Sequence, residues 1–244
     1  MRRHSRRVVL PKATARRLDR ETRVVANASN PAQCVRNRWD TVRRAKWFRK
    51  VIDSLRRMAG DGEPCMYCDS NESAEVEHFK PKAVFPERAF DWENFLWVCG
   101  LCNRYQGDQY PPVTQNGAEI LNPLDTDPWE HMFVDDLTGL LSGTWCSQSG
   151  SRDERAESTI EIVNLNREAL QERRRQRIVE LKQFVLNAMR QIDAGTATRE
   201  KLLARIREYL TTAYHPDVSD YFLAGPGKAT GPFKSFFKRI ENEG

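Results

Sequence analysis

The chain has 244 residues, 39% hydrophobic and 30% charged, with 39 Lys and Arg against 34 Asp and Glu for a formal net charge of +5. That length can bury a real core, as one large domain or as a small domain with substantial helical additions. No run approaches the roughly 18 consecutive apolar residues of a membrane span, and no apolar stretch follows the basic start, so the expectation is a cytoplasmic protein, although an Arg-rich, acid-poor opening can imitate an organelle transit peptide.

The charge is unevenly spread. Residues 1–60 hold 18 Lys and Arg against 4 Asp and Glu, a local balance of +14 that leaves −9 for the remainder. A segment so basic is attracted to polyphosphate, with binding that weakens as salt rises. A solvated arm, or a surface that docks on an acidic protein, fits the same charge.

In chain order, residues 1–30 lack a clear apolar period apart from a short possible helix around "ATARRLDRE", and are expected to form a basic N-terminal arm that orders only against a partner. From Pro31 to Ala59 the apolar residues Trp39, Val42, Phe48, Val51, Ile52 and Leu55 recur near the helical period while Arg and Lys cover the other face. Gly60 to Pro64 stops this helical segment, 31–60. Residues 65–112 are rich in turn residues and carry the short strand-like runs "AEVEHF" and "ENFLWVC", inside a module expected to span 61–128. Beyond it, in 129–244, a hairpin is expected with its turn near Thr138 and Gly139. One or two helices with the apolar stripe Leu170, Ile178, Leu181, Val185, Ala188 and Ile192 come next, then a helix over about 198–214 and a short aromatic helix from Phe233. The expected fold class is α+β, mainly helices around a small metal-stapled β-containing module.

Four of the six cysteines fall in two pairs, Cys65-x-x-Cys68 and Cys99-x-x-Cys102. Without a secretory signal this spacing favours a tetrahedral structural zinc, because each pair turns back on itself and presents two thiolates to one metal. A disulfide or redox pair would need an oxidising compartment or a thioredoxin-like context. Cys34 and Cys146 have no nearby partner and read as ordinary thiols.

Within and just beyond the cysteine frame stand Glu77-His78, Asn94 and Asn103. The order Cys-x-x-Cys, acidic-His, Asn-Phe-Leu, Cys-x-x-Cys-Asn resembles the HNH (ββα-metal) nucleases, with Asn in the third place, so that the motif reads His-Asn-Asn. The flanking "EHFKPK", "FDWENFL" and "CNRYQGDQYP" look like the HNH nuclease subunit (PtuB) of Septu antiphage systems and of related retron systems, and the likeness runs from about residue 60 to about residue 180. The resemblance implies a DNA-cutting metal-dependent endonuclease with His78 as general base. It assigns Glu77 and Asn103 to a catalytic Mg²⁺ or Mn²⁺, and Asn94 to orienting the loop that carries the histidine. It leaves the zinc purely structural and implies a defence role beside an ABC/SMC-like ATPase of the PtuA type. The chemistry matches these residue types, since a neutral imidazole accepts a proton near physiological pH and oxygen ligands suit a hard cation. Lys80, Lys82 and Arg104 are expected phosphate contacts. Gln106 stands where the usual motif of this group has Lys, a departure that removes one such contact. Asp108 reads as a turn or cap residue, and His4, His131 and His215 lack a readable frame. Two alternatives share most of these features: a zinc-stapled nucleic-acid-binding adaptor without catalysis, and an HNH nuclease acting on RNA. An adaptor has no need of the His78, Asn94 and Asn103 set.

Overall fold

The computed structural model of the chain describes residues 7–72, 74–111, 119–211 and 216–242. They fall into two compact units, one within Arg3–Thr126 and the other within Asp127–Gly244. The architecture is helix-rich with three separate two-stranded antiparallel sheets among the described residues, which agrees with the expected mixed, mainly helical composition. No helix among those residues is long and apolar enough to cross a membrane.

The first unit opens with α1 (Lys12–Ala26), whose Thr14, Leu18 and Val25 face inward. The expectation of an unordered arm over residues 1–30 is therefore corrected from residue 7 onward. Leu10, Leu18 and Val25 bury apolar surface, and the Arg7 guanidinium donates to the carbonyls of Trp92, Phe95 and Glu93 at 2.8, 2.9 and 2.5 Å. Residues 1–6 lie outside the described ones.

The next helix, α2 (Pro31–Arg44), starts with proline at its first turn and with the Asn30 side chain accepting from Gln33 N at 3.0 Å. The expected continuous helix to Ala59 breaks at Ala45, which is extended (φ −66°, ψ 140°). A 3₁₀ turn over Lys46–Phe48 leads into α3 (Arg49–Ala59), which stops at Gly60 with φ 94°. The break swings Phe48, fully buried, into the core with its ring 5.8 Å from Trp39 and 5.9 Å from Phe95.

Strand β1 (Ala74–His78) pairs antiparallel with β2 (Phe95–Cys99), placing His78 opposite Phe95 and Ala74 opposite Cys99. Every β2 residue is buried, which explains its unbroken apolar run. Helix α4 (Gly100–Gln106) follows β2 directly and ends at Gly107, φ 49°.

The second unit begins with β3 (Met132–Val134) and β4 (Leu141–Gly143), the expected hairpin. Asp135 Oδ1 accepts from Thr138 N at 2.7 Å, and Gly139 takes φ 74° where a Cβ would lie 2.7 Å from Gln171 O, so only glycine fits. A short hairpin of β5 (Trp145–Cys146) and β6 (Ser151–Arg152) follows. Asp153 then caps α5 (Glu154–Ile162) through Ala156 N at 2.9 Å. The long α6 (Glu168–Asp193) buries Leu170, Ile178, Leu181, Val185 and Ala188 of the expected stripe but leaves Ile192 half-exposed near its end. After α7 (Arg199–Thr211) and the turn α8 (Pro216–Ser219), α9 (Gly231–Asn242) packs Phe236 against Phe184 of α6.

Candidate functional site

The two cysteine pairs converge. Cys65 and Cys68 lie in a tight turn closed by Asp69 N donating to Cys65 O (2.8 Å) and Cys65 N to Ser70 O (2.9 Å), with Asp69 in the left-handed region at φ 60°. Cys99 ends β2 and Cys102 sits in the first turn of α4, so the sheet register sets the second pair beside the first. All four are buried and their sulfurs lie within 4.8 Å of one another, with Cys68 and Cys99 at 3.7 Å. A tetrahedron of thiolates at about 2.3 Å from zinc has edges of about 3.8 Å, so the donor set and its spacing fit that ion. Burial pushes the Cys65 thiol well up, whereas hydrogen bonds from Cys102 and the other two thiols hold Cys99 down. A divalent cation is the natural counter-charge for such a group.

Beside this staple, β1 presents different chemistry on its two faces, because successive side chains of a strand alternate. Glu75 and Glu77 share the face toward α4, where Asn103 Nδ2 donates to Glu75 Oε1 at 2.8 Å. Glu77 is 5% exposed, and its carboxyl is pushed up to about 7 by burial, with Glu75 and Asp108 adding to the shift and the His78 backbone and Lys82 opposing it. The motif does not single out Glu75; its two-residue spacing from Glu77 in a strand is the available signal.

His78 faces the other way. Its ring sits 4.5 Å from Trp39 of α2 and 5.4 Å from Phe95, and it is 1% exposed. Nε2 lies 2.9 Å from Ala89 O. A carbonyl only accepts, so Nε2 carries the proton and Nδ1 keeps its lone pair; Nδ1 is buried without a hydrogen-bond partner. Burial, reinforced by the Lys82 charge, lowers the imidazole to about 3, so the ring is neutral at physiological pH.

The end of β1 is gripped from two sides. Asn94, 1% exposed, accepts from Lys80 N (2.7 Å) and donates to Lys80 O (2.9 Å) and Arg88 O (3.0 Å). Gln106, fully buried, donates to Phe79 O at 3.0 Å and His78 O at 3.3 Å. Gln106, which stands where the motif has Lys, points into the protein beneath the strand end, where its side chain meets backbone carbonyls.

Of the expected phosphate contacts, Lys80 reaches Glu119 at 2.9 Å and lies over Phe85 and Tyr110, so its ammonium is already engaged. Lys82 sits 5.8 Å over the Trp39 ring, and Arg104 is exposed on α4. Neither has a carboxylate partner among the described residues. Asp108 is exposed beyond the end of α4. His131, in the second unit, pairs with Asp153 at 2.7 Å; His4 and His215 lie outside the described residues.

No protein-family model matches the chain. Septu protein PtuB of Bacillus mycoides (strain KBAB4) is 30% identical over 140 residues, covering 45% of this chain and 45% of that protein. Septu protein PtuB of Bacillus thuringiensis is 26% identical over 125 residues, covering 49% of this chain and 43% of that protein. The chain is thus similar to Septu PtuB over about half its own length, and the match spans less than half the length of either relative.

Proposed function

We propose that the chain is a metal-dependent endonuclease of the HNH type that hydrolyses DNA phosphodiester bonds, and that it is the nuclease subunit of a Septu-like antiphage system. One observation carries this reading. The neutral imidazole of His78 ends the strand that carries Glu75 and Glu77, Glu75 meets Asn103 of α4, the strand end is held by Asn94, and four cysteines converge beside it.

In this reading His78 Nδ1 takes the proton of the attacking water, and the Nε2 bond to Ala89 O holds the ring in the tautomer that does so. Glu77 and Asn103 supply the oxygens for Mg²⁺ or Mn²⁺, with Glu75 beside them. The ion, when bound, stabilises negative charge on the phosphate and the leaving oxygen. Lys82 and Arg104 offer the free cations that hold the phosphate. Trp39 and Phe95 shield the ring, so the Nδ1 edge must open to water as substrate binds. By analogy with HNH nucleases the products carry 5′-phosphate and 3′-hydroxyl ends. Similarity to PtuB supports the defence role and, through it, a PtuA-type ABC/SMC-like ATPase partner that restrains the enzyme.

The test compares the wild-type protein with His78→Ala on supercoiled plasmid, with Mg²⁺ or Mn²⁺, EDTA controls and the ATPase partner. Metal-dependent cleavage that vanishes in His78→Ala while zinc content is retained is the expected result. DNA binding without cleavage in every condition would instead make the chain an adaptor, and cleavage confined to RNA would redirect the substrate.

A further inference from the structure

We infer that a second nucleic-acid contact surface lies on α1 and the turn into α3, centred on the Arg17–Trp47 pair, and that it takes the phosphate backbone of the substrate duplex away from the scissile bond. The inference rests on the nuclease reading for the identity of the duplex.

The Arg17 guanidinium lies 5.6 Å over the Trp47 ring. That contact joins two runs of cations that are far apart in sequence, Arg16, Arg17 and Arg20 on α1 with Lys46, Arg49 and Lys50 around Trp47. All six are exposed, and none has an ion-pair partner among the described residues. The chain does pair surface arginines elsewhere, as in Arg43–Asp40 at 2.7 Å, Arg56–Glu63 at 2.5 Å and Arg175–Glu172 at 2.7 Å. Of the acids on α1 and α3, Glu21 is bound by Arg38 at 2.5 Å, and Asp19 and Asp53 come within ion-pair distance of none of the six. Like charges left uncompensated repel one another in the folded state, and a polyanion is the partner that turns them to advantage. Guanidinium groups suit phosphate oxygens through their fork of donors.

The surface also connects to the candidate base. Trp47 meets Phe48 at 5.7 Å, Phe48 meets Trp39 at 5.8 Å, and Trp39 meets His78 at 4.5 Å. One continuous aromatic seam therefore ties the basic surface to the element that covers the histidine.

The experiment uses the full chain in the His78→Ala background without added Mg²⁺, so that binding is read apart from cleavage. The probe is a fluorescein-labelled duplex of about 30 base pairs, a length of several helical turns, titrated at several salt concentrations. Arg17→Gln/Lys46→Gln/Arg49→Gln is compared with a control of equal charge change in the other unit, Lys201→Gln/Lys234→Gln/Lys238→Gln, with zinc content confirming that each is folded. At about 0.9 in log–log slope per phosphate contact, three lost contacts reduce the slope by about 3 and weaken binding near 0.15 M salt on the order of 100-fold, while the control keeps its slope. Equal slopes and affinities for the two triple variants overturn the inference, as does a folded parent that binds no duplex. So does a patch variant that keeps duplex binding but no longer co-purifies with the ATPase, which would make the surface a protein-docking site. Because no cleavage is read, absence of nuclease activity in the plasmid test and absence of this surface are separate outcomes.

Discussion

Replacing Glu77 by Gln should stabilise the metal-free module while abolishing catalysis, and the size of the effect follows from burial. The Glu77 carboxyl titrates near 7 in the fold against an ordinary value of 4.5. Between those pH values the folded state holds a proton that the unfolded chain has lost, so stability falls as pH rises through the window and the loss is complete above about 7. At 1.36 kcal/mol per unit the destabilisation approaches about 3 kcal/mol at pH 8. Glutamine keeps the shape and carries no charge to desolvate, so Glu77→Gln should gain most of that amount at pH 8 and almost nothing at pH 4.5. His78, lowered to about 3, works in the opposite sense, adding stability as pH rises from 3 through its unfolded value near 6.5, but it does so equally in both proteins and cancels in the difference. Amide hydrogen exchange of the β1 and β2 residues, corrected for intrinsic rates and run on zinc-loaded, magnesium-free protein from pH 5 to 8.5, measures this directly. Added Mg²⁺ at about 100 times its dissociation constant should then return about 2.7 kcal/mol to the wild type and none to the variant. Parallel pH profiles for the two proteins, or a variant less stable than wild type at pH 8, would refute the idea that Glu77 is a carboxylate held in a dry site awaiting a cation.

Asn94→Ala leaves the Lys80 N–H and two carbonyls without their partner; at about 1–3 kcal/mol per buried unpaired group, exchange of the Lys80 amide should accelerate at least tenfold, with cleavage lost alongside, and unchanged protection would show the clamp to be incidental. Gln106→Leu removes both donors to the His78 and Phe79 carbonyls at similar volume, and is expected to lower kcat at least tenfold with little change in KM; equal losses in kcat and in folded fraction would show a role in stability alone. Cys102→Ser should reduce bound zinc from one ion per chain to none by elemental analysis and unfold the β1–β2–α4 segment, since structural zinc contributes about 10–16 kcal/mol to such modules; a folded, zinc-free variant would contradict the staple.

The cysteine cluster was legible because its signals are local. The spacing of Cys65, Cys68, Cys99 and Cys102 needs only two tight turns to act, and the four sulfurs do converge. What escaped depends on tertiary packing. The break at Ala45 is invisible in a helical period that runs through it, because the gain comes from seating Phe48 against Phe95, a residue 47 positions away. Arg7 and Leu10 look like part of a charged tail until the Trp92–Phe95 carbonyls and the α1 core are in place. Trp39 read as an ordinary core position of α2; only the fold shows its ring against His78. Gln106 occupies a motif position, and a motif does not say which way a side chain points.

The period-two geometry of β1 also explains why the acid and the base can coexist one residue apart. Were Glu77 and His78 on one face, the carboxylate would raise the imidazole and the two would neutralise each other as an ion pair. Alternation puts Glu77 on the face of Glu75, whose carboxylate accepts from Asn103, and sends His78 among Trp39, Phe95 and the Ala89 carbonyl, where a proton on Nδ1 is disfavoured. Their pKa values are accordingly driven apart in opposite senses by the same cause, burial, up to about 7 for the acid and down to about 3 for the imidazole. A strand end can hold that separation only if it cannot twist, which is what the Asn94 and Gln106 amides provide by fixing the backbone of residues 78–80 from both sides. The four-cysteine cluster then acts mechanically. By joining the turn before β1 to the junction of β2 and α4, it keeps α4, and with it Asn103 and Gln106, against the strand whose two faces that helix must serve.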